Sequence, residues 1–216
     1  GYTIDDIYKS IELAGRVSHK SEDKITEDSA KTFVGRMLNM KHLATCEFGT
    51  VYLEYHVQDP SVIGEPNYHK QQEELNSLIK KYANNKYSCI KVNHCYDTVF
   101  ITSNYRVLVE NNWLDDLKYL CKPTKYHHKR YTVKFICDRA IANEIVRHRK
   151  FSFLQESTRY CRYSSDKFNG ELTFIKPCWT NIPEGDYGDI FNPKEPNITL
   201  TPSEYAFINI LRESEK

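Results

Sequence analysis

The sequence of 216 residues lacks any apolar run approaching the roughly 20 residues that a bilayer-crossing helix needs. No secretory signal is readable at Gly1-Tyr2-Thr3-Ile4-Asp5-Asp6. Bulk charge is missing too. The formal net charge is +1, so whole-chain electrostatics argue for neither a nucleic-acid nor a membrane partner. There is no G-x-G-x-x-G, and hence no dinucleotide-binding fingerprint. Repeats and low-complexity tracts are absent. The seven cysteines (Cys46, Cys89, Cys95, Cys121, Cys137, Cys161, Cys178) never form C-x-x-C, which argues against structural zinc, and no metal is expected. Their odd number favours reduced thiols, most of them small buried hydrophobes, in a cytoplasmic protein.

What is present is ordinary for a soluble globular chain: 40% hydrophobic and 27% charged residues, enough for one large domain or two small ones. Ile7 and Ile11, with Ala14 or Leu13, stripe a helix over Ile4 to Val17, which ends in Ala14-Gly15-Arg16-Val17-Ser18. Ser21 to Lys24 reads as a turn. A second helix begins at Thr26-Glu27-Asp28-Ser29 behind an N-cap hydroxyl and buries Phe33, Val34, Met37 and Leu38. Strands are expected at Val51 to Val57, Thr98 to Thr102, Tyr131 to Cys137 and Glu171 to Pro177. Helices are expected around Gln71 to Tyr82, from Asn104 to Leu120, from Asp138-Arg139-Ala140 onward, and after Thr201-Pro202-Ser203-Glu204. Residues 178–202 are rich in Pro, Gly, Asn and Asp and read as loop. His127 and His128 are adjacent, which is not the i,i+4 spacing of a helical metal pair.

One stretch stands apart: Arg147-His148-Arg149-Lys150-Phe151-Ser152-Phe153-Leu154-Gln155-Glu156-Ser157-Thr158-Arg159-Tyr160-Cys161-Arg162-Tyr163. Guanidinium groups present rigid donor forks that match phosphate and carboxylate oxygens. Serine and threonine hydroxyls, with nearby backbone N–H groups, complete a phosphate cradle. Phe151, Phe153 and Tyr160 add flat surfaces for a ring. The stretch therefore suits an anionic, ring-bearing ligand, most simply a nucleotide. Short Arg-rich runs also occur as solvated faces or nonspecific nucleic-acid patches, and that alternative stands beside the first.

Arg147-His148-Arg149, seven residues, and then Ser157 resembles the RHR-x7-S signature of flavin-dependent thymidylate synthases. Arg159-Tyr160 is similar to that family's following Arg-Tyr. The resemblance covers most of the chain and implies one α/β (α+β) domain over 1–216. It implies a central mixed or antiparallel sheet flanked by helices, not a Rossmann fold, assembled as a homotetramer with shared sites. Compact members lack most of 58–94, which reads as an insertion. Family C-terminal helices with further arginine contacts have no counterpart here, so a C-terminal helical part is expected to be missing, and the start without methionine suggests absent N-terminal sequence.

The implied reaction makes dTMP from dUMP with FAD, using NADPH as reductant and methylenetetrahydrofolate as carbon donor. By match, Arg147, His148 and Arg149 are catalytic and hold the flavin, Arg147 also touching dUMP. Ser157, Thr158 and Arg159 hold the dUMP phosphate and sugar. Gln155 stands at a family carboxylate position that contacts both ligands, and neighbouring Glu156 is a substitute for it. Glu144, where many members have glutamine, contacts the nucleotide or pairs with an arginine. Ser18 matches a serine near the flavin, or is a helix-ending hydroxyl. His42 and Glu47 fit the family's His-x4-Glu flavin contact, although Ala44 replaces a usual hydroxyl residue, Thr45 lies beside it, and Phe48 replaces a usual histidine. His42 otherwise reads as a cation at a helix C-terminus. The competing classes are an RNA or single-stranded-DNA module using the basic, Tyr-rich stretch 118–163, and a degenerate synthase fold that binds nucleotide without turnover.

Overall fold

A computed structural model describes residues 1–159, 161, 174–185 and 200–214. It divides into two compact units: Gly1–Val133 with Arg149–Ser157, and Lys134–His148 with Thr158–Lys216. The described residues form a mixed α+β structure whose sheet is antiparallel.

The first unit is organised on a three-stranded sheet in the order β1-β3-β2, with β1 at Thr50–His56, β2 at Cys89–Asn93 and β3 at Thr98–Asn104. All seven residues of the central β3 are buried, so both sheet faces are covered. Register places Leu53 opposite Ile101 and Ile101 opposite Ile90, with Tyr55, Val99 and Val92 in the next row. These residues share one core with Ile7, Ile11, Phe33, Val34, Leu75 and Leu78. Each such fully buried aliphatic side chain is worth about 1.5–3 kcal/mol relative to exposure.

Helix α1 (Ile4–Val17) opens with a capping box between Thr3 and Asp6 and buries Ile7, Ile11, Ala14 and Gly15. Ala14 rather than Leu13 continues the stripe, since Leu13 is exposed. Glu12 is buried on the same helix. Arg16 Nη2 donates to its Oε1 at 2.7 Å, and the Ser29 hydroxyl donates to its Oε2 at 2.8 Å. The buried carboxylate is thus paired and hydrogen-bonded, the condition under which such burial is tolerated. Gly49 sits under α1 so closely that a Cβ there would lie 2.6 Å from Ile11 Cδ1 and 2.7 Å from Ile7 Cγ2.

Helix α2 (Ser29–Asn39) has Asp28 at its N-cap position with no side-chain cap. The expected capping hydroxyl is instead that of Ser29, which accepts from the Thr26 N–H at 2.9 Å and closes the preceding turn. The helix ends with Lys41 at φ 56°, while the His42 N–H reaches the Met37 carbonyl at 2.9 Å and the Lys41 N–H reaches Leu38 at 3.0 Å. That is a Schellman closure with lysine where glycine is usual.

A short helix, α3 (Pro60–Ile63), leads into α4 (Glu65–Ala83), which extends the expected 71–82 helix at its N-terminal end. Leu75, Leu78 and Tyr82 form its buried side. Polar ties reinforce it: Tyr119 and Lys118 donate to Glu74, and the Tyr82 hydroxyl donates to Asp116 at 2.6 Å beside Lys81. The region read as an insertion therefore supplies both a core-packing helix and the edge strand β2.

Two expectations are corrected in this unit and at its border. The single helix expected from Asn104 to Leu120 is α5 (Tyr105–Glu110) followed by a 3-10 turn at Leu114–Tyr119. Asn111 and Asn112 break it. The Asn111 side chain donates to the Val107 carbonyl at 2.8 Å, and Asn112 adopts φ 58°, a conformation asparagine tolerates. Tyr131 to Cys137 is not a strand. Within it the adjacent Phe135 and Ile136 are 66% and 77% exposed, so neither alternate face is covered, and no described residue pairs with it as a strand. The edge of β1 is occupied there by Leu120, and the Cys121 N–H donates to the Tyr52 carbonyl at 2.9 Å before Pro123 ends the pairing.

The outer sheet face is closed by the segment after Pro123. His127 is buried edge-on against Tyr52 and Phe100. The Thr124 N–H donates to its Nδ1 at 3.1 Å, which makes Nδ1 an acceptor and leaves Nε2–H to donate to the Leu53 carbonyl at 3.0 Å. With both ring nitrogens engaged by the fold, His127 is structural.

In the second unit, α6 (Arg139–Ile145) is N-capped by Asp138, whose Oδ1 accepts the Ile141 N–H at 3.0 Å. Helix α7 (Pro202–Glu213) begins as expected, with a capping box between Thr201 and Glu204 and proline in its first turn. Trp179 packs edge-on to Phe207 at 5.3 Å. Of the strand expected at Glu171 to Pro177, residues 171–173 lie outside the described residues and 174–177 are not strand.

Candidate active site

The residues singled out in the sequence fall into both units. The first holds Ser18, His42, Glu47, Arg149, Gln155, Glu156 and Ser157, and the second holds Glu144, Arg147, His148, Thr158 and Arg159. Tyr160, Arg162 and Tyr163 lie outside the described residues.

In the first unit, the segment Arg149–Ser157 is fastened at two points to the elements that sequence reading had picked out. The Ser157 N–H donates to the Ser18 carbonyl at 2.9 Å, at the end of α1. The Ser152 hydroxyl donates to Glu47 Oε2. Glu47 lies in a 3-10 turn, Thr45–Phe48, just before β1. Its other oxygen accepts from Arg106 Nη1 at 2.6 Å, and Arg106 Nε donates to Glu110 one helical turn on at 2.7 Å. Hydrogen bonds first to Glu110 and then to Glu47 hold the Arg106 guanidinium above its ordinary range.

Around this core, Gln155, Glu156 and Ser157 are half-buried, while Arg149 and Phe151 are exposed. His42 is exposed at the Schellman closure of α2. Thr45, beside the departing Ala44, has its hydroxyl committed to the His42 carbonyl at 2.8 Å. It therefore does not stand in for the missing hydroxyl as a donor.

In the second unit, Arg147 follows α6 by two residues. Its N–H closes on the Glu144 carbonyl at 3.1 Å, and the His148 N–H closes on Ile145 at 3.1 Å. Arg147 Nη1 also pairs with Glu144 Oε1 at 3.3 Å. Both side chains are largely exposed, and such a pair is weak. Thr158 and Arg159 are exposed.

Sequence reading missed Arg106, Glu110 and Ser152. The Arg106–Glu110 spacing of four was readable as a helical ion pair. Nothing local pointed Arg106 at Glu47, which lies 59 positions earlier. Among the described residues, no group of three His, Cys, Asp or Glu is placed to hold a metal ion.

Residues 109–204 match the profile of the thymidylate synthase complementing protein family, a span that contains the entire run from Arg147 to Arg159. That profile describes the flavin-dependent thymidylate synthases, so the similarity to that family lies in residues 109–204. No curated protein and no solved structure matches the chain. The flavin-dependent thymidylate synthases are methyltransferases acting on dUMP with a folate, and the matched span begins in α5 and reaches the first turn of α7. No described helix is long and apolar enough to cross a membrane.

Proposed function

We propose that this chain catalyses the reductive methylation of dUMP to dTMP, with methylenetetrahydrofolate as carbon donor and FAD, reduced by NADPH, as hydride source. The observation that carries the reading is the family match over 109–204, which encloses Arg147-His148-Arg149 and Ser157. The donor set fits a flavin and a nucleotide. A fixed carboxylate at Glu47, the half-buried amide of Gln155 and the Arg149 cation offer both acceptors and donors to a polar ring edge. When bound, the flavin supplies the hydride.

The chain's own residues bind and orient. Arg147, His148 and Arg149 hold flavin and pyrimidine in register, and the two arginine cations stabilise the negative charge that develops on the pyrimidine. Ser157, Thr158 and Arg159 take the dUMP phosphate and sugar, the guanidinium as a two-pronged donor. Glu156 and Glu144 complete the nucleotide contacts. Ser18, His42, Glu47 and Gln155 take the flavin. No cysteine is required: Cys46 and Cys161 are buried, and burial pushes the Cys121 thiol up to about 11, away from thiolate reactivity. A homotetramer with shared sites belongs to the same reading, and the exposed Tyr131, Val133, Phe135 and Ile136 are the kind of surface that assembly covers.

The test is purification and turnover. The protein is expected to carry flavin absorbance and to form dTMP only when dUMP, methylenetetrahydrofolate and NADPH are all supplied. Arg147→Ala is expected to lower turnover by at least about 100-fold, the scale of losing one preorganised charge-stabilising donor. A colourless protein that takes up no FAD would refute the proposal.

A further inference from the structure

We infer that Arg106 is a positioning residue that fixes the Glu47 carboxylate and, through it, the spacer between Arg149 and Ser157. The inference rests on the reading of Glu47 as a flavin contact. The two oxygens of Glu47 are engaged from different parts of the chain, Oε1 by Arg106 Nη1 at 2.6 Å and Oε2 by the Ser152 hydroxyl. Two donors on two oxygens set the plane of the carboxylate. A carboxylate offers about four acceptor positions, so this arrangement leaves capacity for the N–H of a bound ring.

Arg106 is itself held. Its Nε donates to Glu110 at 2.7 Å, so one face of the guanidinium is tied within α5 while another N–H reaches Glu47. The helix that carries it is anchored by buried Tyr105, Val107 and Leu108, by the Asn104 cap on the Val107 N–H at 3.0 Å, and by the Tyr105 N–H on the Gly49 carbonyl at 2.8 Å. A planar fork holds two carboxylates in one fixed geometry, which a lysine ammonium does not reproduce. Ser152 lies within the seven-residue spacer of the signature. The path therefore runs from a rigid helix, through one carboxylate, into the segment that carries the signature.

The experiment titrates FAD onto the flavin-free protein by flavin fluorescence. It compares wild type, Arg106→Gln, Arg106→Lys, Glu47→Gln and the Arg106→Gln/Glu47→Gln double variant, with thermal unfolding of each. Arg106→Gln is expected to raise the FAD Kd about tenfold, the lower end of the loss when an outer partner that orients a ligand group is removed. Arg106→Lys is expected to recover part of it. The double variant is expected to bind no more weakly than Glu47→Gln alone, because Arg106 acts through Glu47. A merely structural role predicts losses that add. If Arg106→Gln does not fold, the same cycle with Arg106→Lys decides the matter. An Arg106 variant that binds FAD as wild type does, or losses that add in the double variant, overturns the inference and leaves the functional reading standing. A wild-type chain that takes up no FAD overturns the functional reading and this inference with it.

Discussion

Replacing Tyr82 by phenylalanine isolates one hydrogen bond in the first unit. The ring is fully buried against Trp113 at 5.0 Å, so phenylalanine fills the same space and opens no cavity. What is lost is the hydroxyl that donates to Asp116 at 2.6 Å, where Asp116 is itself buried and also meets Lys81. A hydrogen bond to a charged group is worth about 1.5–3 kcal/mol. With Lys81 still pairing the carboxylate, the expected loss at neutral pH is about 1.5 kcal/mol, near the low end of that range. Urea denaturation should show it as a lower midpoint at unchanged slope.

The same hydroxyl carries a pH signature. Burial first, then the bond to the Asp116 carboxylate, push the Tyr82 hydroxyl far above the ordinary tyrosine value. Its folded-state pKa is raised, so its stabilisation is complete below about pH 10, where a free tyrosine is still protonated. Above that pH the unfolded chain ionises at this position and the folded chain does not, so wild-type stability falls as pH rises. The gap between wild type and Tyr82→Phe should therefore close by about 1.4 kcal/mol per pH unit above pH 10. A gap that stays constant from pH 7 to pH 11, or one below about 0.5 kcal/mol at neutral pH, would refute the reasoning.

Two further outcomes are expected. Gly49→Ala should destabilise the first unit by about 1–3 kcal/mol through overpacking against Ile7 and Ile11, read as a lower melting temperature, and a neutral result would mean that α1 can shift outward. Hydrogen bonds first from Tyr119 and then from Lys118 hold Glu74 below the ordinary carboxylate range. Its contribution is thus full above the ordinary value and is lost as pH falls through the lowered one. It is a partly exposed group, so the loss in Glu74→Gln should stay below about 1 kcal/mol and should vanish on acidification; a pH-independent loss would point to packing instead.

Much of the first unit was legible because its elements are amphipathic and local. The period of Ile7, Ile11 and Ala14 gave α1 its bounds, and runs of β-branched and aromatic residues marked β1 and β3. Asn104 to Leu120 misled because its apolar spacing continues past Asn111-Asn112, where backbone conformation rather than hydropathy ends the helix. Tyr131 to Cys137 misled for a different reason: its alternation suits a strand, but a strand exists only against a partner backbone, which sequence does not display. At the candidate site, Arg147-His148-Arg149 and Ser157 were readable as a linear pattern. The ties of Ser157 to Ser18, Ser152 to Glu47 and Arg106 to Glu47 span 139, 105 and 59 positions and follow only from the fold.

The bond between Ser157 and Ser18 joins main chain to main chain. Exchanging either side chain for another leaves its donor and acceptor in place, and only proline at 157 would delete the donor. Under the proposed function, anchorage and ligand chemistry fall to different atoms of the same two residues. On that reading, side-chain variation at either position would retune what is recognised without unfastening the strap that presents it.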